Sequence, residues 1–194
     1  MFYQVSLIKD RRRPSSHDAI AELHSKKTLL RQQKITIYGI FTGLFGLATN
    51  EIYVVTSAAY EHDLGGFFTD TALNIETSHL FLPTVRPTTH APLKSPGIYV
   101  FRWFTVKNEH TTEIVKLSKS AWKSFESGFD TEIQALFAEP ESDAVLGQML
   151  LITRYADLSV WEASRQPADD ARENFQRRHA LTIEARAIAT QLVE

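Results

Sequence analysis

Two arginines stand inside runs that are otherwise strand-forming. Arg102 lies between Phe101 and Trp103, and Arg154 directly precedes Tyr155. A guanidinium held among apolar side chains is costly unless it meets a carboxylate or another anion. Arg102 therefore reads either as a bidentate clamp for a carboxylate or enolate ligand or, more commonly, as half of an internal salt bridge or an edge-exposed side chain. Tyr99 and Trp103, with Phe101 and Phe104, make a dry surrounding for either side of that strand. Tyr155 accompanies Arg154 at a strand end, where a long side chain reaches water easily. The candidate ligand-binding residues are accordingly Arg102, Tyr99, Trp103, Arg154 and Tyr155.

The 7 histidines are scattered. None shows a His-x-His or His-Glu-x-x-His spacing, so no metal site is expected. His79, in a strand-like run between Ser78 and Leu80, is the candidate catalytic residue. A neutral imidazole there can serve as a general base or an axial haem ligand, and its commoner role is that of a hydrogen-bonded structural histidine. Gly39, Gly43 and Gly46 lie within a strand run with no Gly-Lys-Ser/Thr after them, which fits bulges better than a phosphate loop. Ser57 and Ser78 lack a nucleophile-elbow context. The absence of cysteine excludes thiolate chemistry, thiolate zinc and disulfides. Arg11–Arg13 reads as a solvated loop.

These residues must be positioned by a chain of 194 residues whose 12 Phe, 6 Tyr and 3 Trp can fill a sizeable core. The two halves repeat at a spacing of about 97 residues. Phe2–Ile8 falls on Ile98–Phe104, both β-rich. A helix candidate follows each, Asp18–Lys34 and Thr111–Ser127. The second places Ile114, Leu117, Ala121, Trp122 and Phe125 along one face. Two strands then follow in each half, Ile35–Phe45 with Glu51–Ala58, and Thr131–Phe137 with Gly147–Tyr155. Each half closes on a further strand run, Thr77–Leu82 and Ala185–Val193, although the latter also fits a helical period. An insertion in the second half, Asp169–His179, reads as a short helix. Four prolines, Pro83, Pro87, Pro92 and Pro96, interrupt the middle.

The expected organisation is a first ferredoxin-like repeat over residues 1–82, a Pro-rich connector over 83–97 and a second repeat over 98–194. The fold class is α+β, with duplicated ferredoxin-like units forming a dimeric-α/β-barrel-type core with antiparallel sheets. Both faces of Tyr99–Val106 are largely apolar, as a strand covered on both sides requires. Ile98–Arg102, the run Leu151–Leu158 with Trp161 and Arg165, and Asn50–Val54 with Ser78–Thr84 resemble the NIPSNAP family of dimeric α/β-barrel proteins. Ser6 departs from the pattern, standing where the second half has Arg102. That resemblance implies a tandem-repeat fold in the cytoplasm and little chemistry. By analogy of fold, an enzyme of this kind would be a cofactor-independent oxygenase or haem-dependent.

No cofactor is implied by a motif, and haem stays open as an alternative. A formal charge of -2 gives no pull toward nucleic acid. No apolar run is long enough to span a membrane. A homodimer is expected because symmetric pairs are the commonest oligomers. Two functions follow: binding of a small, anionic molecule between sheet and helices, or a non-catalytic oligomerisation or protein-interaction module.

Overall fold

The structure, a computed structural model, describes residues 1–69 and 71–193. Among these the chain forms β1 (Phe2–Asp10), α1 (His17–Gln32), β2 (Thr36–Phe45), β3 (Glu51–Ala58), β4 (Leu73–Pro83), β5 (Ile98–Lys107), α2 (Thr111–Gly128), β6 (Thr131–Ala138), β7 (Leu146–Tyr155), α3 (Leu158–Ala163), α4 (Asp169–Ala180) and β8 (Thr182–Leu192). The class is α+β, and every described strand pairing is antiparallel. No described helix is long and apolar enough to cross a membrane. Compactness divides the chain into two units. One holds Met1–Leu82, His90–Ser95 and the segment from Ile188 onward; the other holds Pro83–Thr89 and Pro96–Ala187.

In the first unit β1 pairs with β3 on one side and β4 on the other, while β2 pairs with β3. The end of β8 lies along β2, with Phe41 opposite Leu192 and Thr42 opposite Gln191. Helix α1 buries Ala19, Leu23 and Leu30 against Ile8, Ile52 and Val54 of the sheet. At about 2 kcal/mol for each large apolar side chain removed from water, packing of this kind holds the helix down despite a charged outer face. Arg11–Arg13 form the exposed loop expected, and Arg12 in addition pairs with an acid beneath it. Asp10 is fully buried at the end of β1 and accepts from the Arg12 backbone N–H at 2.8 Å and from its guanidinium at 2.9 and 2.8 Å. A buried carboxylate needs that partner, and the Arg12 contact in turn holds its pKa below the usual range.

In the second unit β7 lies between β5 and β6, with Arg102 opposite Leu151 and Phe104 opposite Met149. The anticipated stripe of α2 is the buried one, Ile114, Leu117, Ala121, Trp122 and Phe125, with Ser118 among them. It packs on Val100, Phe104 and Val106 of β5. Helix α4 lies beside α2, joined by the edge-on contact of Phe125 and Phe175 at 5.4 Å between ring centres. Helix α3 has no counterpart in the sequence reading. Asp157 caps it by accepting from the Val160 N–H at 2.9 Å. Residues 185–192 form strand, not an extension of α4.

The proline-rich stretch is bonded to both units. Thr84 donates its N–H (3.0 Å) and hydroxyl (2.7 Å) to the Leu136 carbonyl, and the Leu136 N–H donates to Arg86 O at 3.1 Å. Further on, the Leu93 N–H donates to Tyr38 O at 2.8 Å, and the Tyr3 hydroxyl lies 2.7 Å from His90 Nδ1.

Candidate functional site

Strand alternation sends Val100, Arg102 and Phe104 of β5 to the helix side of the second unit's sheet, along with Leu151, Thr153 and Tyr155 of β7. Between this face and α4 lies a cavity of about 520 Å³, a size suited to a small molecule. Its apolar walls are Phe104, Trp122, Phe125, Ile133, Leu151 and Phe175. Five arginines also line it: Arg102, Arg165, Arg172, Arg178 and Arg186. Among the described residues that line it there is no Asp or Glu.

Arg178 is the least expected member. Ala171, Phe175 and Arg178 share one face of α4, and Arg178 takes the position where an apolar residue would continue the stripe. It is 6% exposed. The guanidinium carbon stands 5.2 Å from the Phe104 ring centre and 4.8 Å from that of Phe175, and Nη1 donates to Ser118 Oγ at 3.3 Å. Burial, and then the like charge of Arg102, pull its pKa down to about 9, with the Tyr155 phenol acting the other way. It is therefore still protonated at neutral pH. No described carboxylate pairs with it, and Arg102 also has no ion pair among the described residues.

Other arginines of the same unit do have acids. Arg86 donates to both oxygens of Glu126, Nη2 to Oε2 at 3.0 Å, and its guanidinium sits 5.1 Å over the Trp122 ring. Arg154 bonds Asp130 at 3.1 Å and the Pro96 carbonyl at 2.7 Å. Arg102 and the buried Arg178 thus face one cavity without a counter-ion among the described residues. Such a pair lowers the free energy of any anion that enters, because the anion removes their mutual repulsion and accepts charge-assisted hydrogen bonds. The Trp122 indole N–H, also buried, has no acceptor among the described residues.

Of the residues singled out in the sequence, Arg102 and Tyr155 line this cavity together. Tyr99 and Trp103 do not, since a two-residue period turns them to the opposite face of β5 from Arg102. Arg154 is engaged with Asp130 and Pro96, as above. His79 belongs to the first unit, on β4, with its ring stacked on Phe81 at 6.0 Å. Among the described residues no group of three or more His, Cys, Asp or Glu side chains is placed to hold a metal ion.

The cavity offers a haem no buried histidine. The one imidazole among the lining residues, His179, is exposed at the C-terminal end of α4, and the buried position beside it is held by the Arg178 cation. The Tyr155 phenol is the lining group that could serve as an axial oxygen ligand.

No known family profile matches the chain, and no curated protein matches it in sequence. Solved structures do match along its whole length. A mutant chlorite dismutase from Candidatus Nitrospira defluvii aligns with a TM-score of 0.64 at 8% identity, over 100% of this chain and 91% of its own. A haem-binding protein from Thermus thermophilus aligns at 0.61 with 13% identity, over 100% and 91%. A monooxygenase-type protein from Lactobacillus acidophilus aligns at 0.57 with 9% identity, over 99% and 92%. The chain shares with these proteins the ferredoxin-like, dimeric α/β-barrel fold.

Proposed function

We propose that the protein binds a small organic anion in the cavity of its second unit, with Arg102 and Arg178 as its anchors. The observation that carries this reading is the pair of guanidinia facing one largely apolar cavity with no carboxylate between them. An arginine kept only for stability would be paired, as Arg86 is with Glu126. Membership of the NIPSNAP family is part of the same proposal and rests on the sequence resemblance at Ile98–Arg102 and Leu151–Leu158. Solved structures of the same fold described as monooxygenase-type make an oxygenase-like reaction on the bound anion the enzymatic version of the proposal.

Thermal denaturation in a panel of carboxylates, phosphates and sulfonates tests it. A ligand at a hundred times its Kd adds about 2.7 kcal/mol, or roughly 5–10 °C of Tm in a chain of this size. At least one organic anion is expected to do this. Arg102→Met should melt near the wild-type temperature and lose the response. An unresponsive wild type, or an Arg102→Met variant that fails to fold, overturns the proposal.

A second copy of the chain is the proposed partner, because symmetric pairs are the commonest oligomers and the similar solved structures share a dimeric α/β-barrel fold. Light scattering should return twice the chain mass of 22.0 kDa; the single mass would exclude the dimer.

A further inference from the structure

Four of the cavity's five arginines stand in two tiers by burial, and the fifth, Arg186, is exposed on β8. Arg178 is buried and Arg102 half-buried. Arg165, between α3 and α4, and Arg172, in the first turn of α4, are both exposed. The guanidinium of Arg165 rests 5.8 Å from the Trp161 ring centre, and that of Arg172 meets the solvent-exposed Asp169 at 3.0 Å and donates to the Pro167 carbonyl at 3.1 Å. Along α4, the six residues from Arg172 to Arg178 correspond to about 9 Å of helix axis. Phe175 fills the interval, facing Phe125 of α2. The sequence along the cavity is therefore cation, aromatic wall, cation.

From this arrangement we infer that the ligand is a flat, rigid diacid, one acidic group seated between Arg102 and Arg178 and a second held at the mouth by Arg165 and Arg172. The inference rests on the reading of the cavity as an anion site and adds the ligand's class. A monoacid would satisfy only the inner pair and leave Arg165 to water and Arg172 to Asp169 and the Pro167 carbonyl. A second acid at the far end would displace the weak exposed contact with Asp169 and gain guanidinium donors from both outer arginines. An aromatic body suits the interval because rings lining it offer both stacking and edge contacts. Rigidity matters because a flexible linker would lose rotamer freedom on binding.

Two probes with one body and different charge separate the claims: 2-naphthoate and naphthalene-2,6-dicarboxylate, titrated calorimetrically into the intact chain at low salt. The diacid is expected to bind at least tenfold more tightly. In the double variant Arg165→Gln/Arg172→Gln that advantage should disappear while 2-naphthoate affinity stays within twofold. Both substitutions are at exposed positions, and an unchanged Tm without ligand verifies the fold. Equal affinity for the two acids in the wild type overturns the diacid inference and leaves the anion site standing. So does a diacid advantage that survives the double variant. If neither acid binds, the anion site itself falls, and the diacid with it.

Discussion

The two units treat the helix-side faces of their sheets in opposite ways. In the first, the position matching Arg102 is Ser6, fully buried and 3.2 Å from the Ser78 hydroxyl across the β1–β4 pairing. Gln4, on the same side of the strand, donates to Asp63 at 3.2 Å, and the buried acid at the strand's end, Asp10, has its arginine. The helix-side face of that sheet is closed by side-chain hydrogen bonds and one ion pair. In the second unit the same face carries Arg102, the inserted helix α4 adds Arg178, and an open cavity remains between them. The first unit closes its polar interior with partners, and the second leaves two guanidinia without a carboxylate among the described residues. Polar residues therefore have to be judged by whether they are paired, since both units bury them.

The comparison can be broken most severely by moving the charge. Ser6→Arg would force a guanidinium into a fully buried position, and should cost about 3–5 kcal/mol, read as a lowered midpoint in urea. If the variant folds like the wild type, the first unit is not the closed scaffold described. Next in size is a contrast between two arginines of the second unit. Arg86→Met strands Glu126 and should lose about 1–3 kcal/mol. Arg178→Met removes a cation that has no carboxylate, and should leave the Tm of the unliganded protein unchanged or higher while abolishing stabilisation by anions. Equal losses in the two variants would mean that Arg178 is paired in solution after all.

The smallest effects are in pH. Because the folded-state pKa of Asp10 lies below its unfolded value, its contribution to stability is present above about pH 4 and is lost as pH falls through the lowered value. Acid titration of Tm should be steeper for the wild type than for Asp10→Asn. At the other end, Arg178 begins to lose its proton as pH rises through about 9, so the Tm gain from a bound anion should be level between pH 6 and 8 and shrink above 9. A gain that stays constant through pH 10 would assign the anion to other arginines.

Much of this architecture is visible in the sequence because its periods are long and clean. The stripe of α2 gives its buried face residue by residue, and the repeat correctly makes a strand of residues 185–192, where helical periodicity competes. Helix α3 escapes because six residues are too few to show a period, and its signal is the single capping residue Asp157. Arg178 escapes for a different reason. Helix α4 is crowded with Arg172, Arg177, Arg178 and His179, which looks like a solvated face until Ala171 and Phe175 are used to find the buried side. The separation of Arg102 from Tyr99 and Trp103 needs only the two-residue period of a strand. Whether Arg102 has a carboxylate partner cannot be read from one dimension, since any of 23 acids can reach it in principle.

The chain enters and leaves each unit more than once: at Pro83, at His90, at Pro96 and again at Ile188. Neither unit is a continuous stretch of polypeptide. A fragment ending at residue 97 would carry β2 without the neighbour that β8 gives it through Thr42 and Gln191, and an unpaired strand edge of that kind invites association with other chains. A protease that nicks the proline-rich stretch would cut one backbone bond while every hydrogen-bonded strand pairing stayed in place. Separate expression of the halves is thus the wrong dissection for this protein.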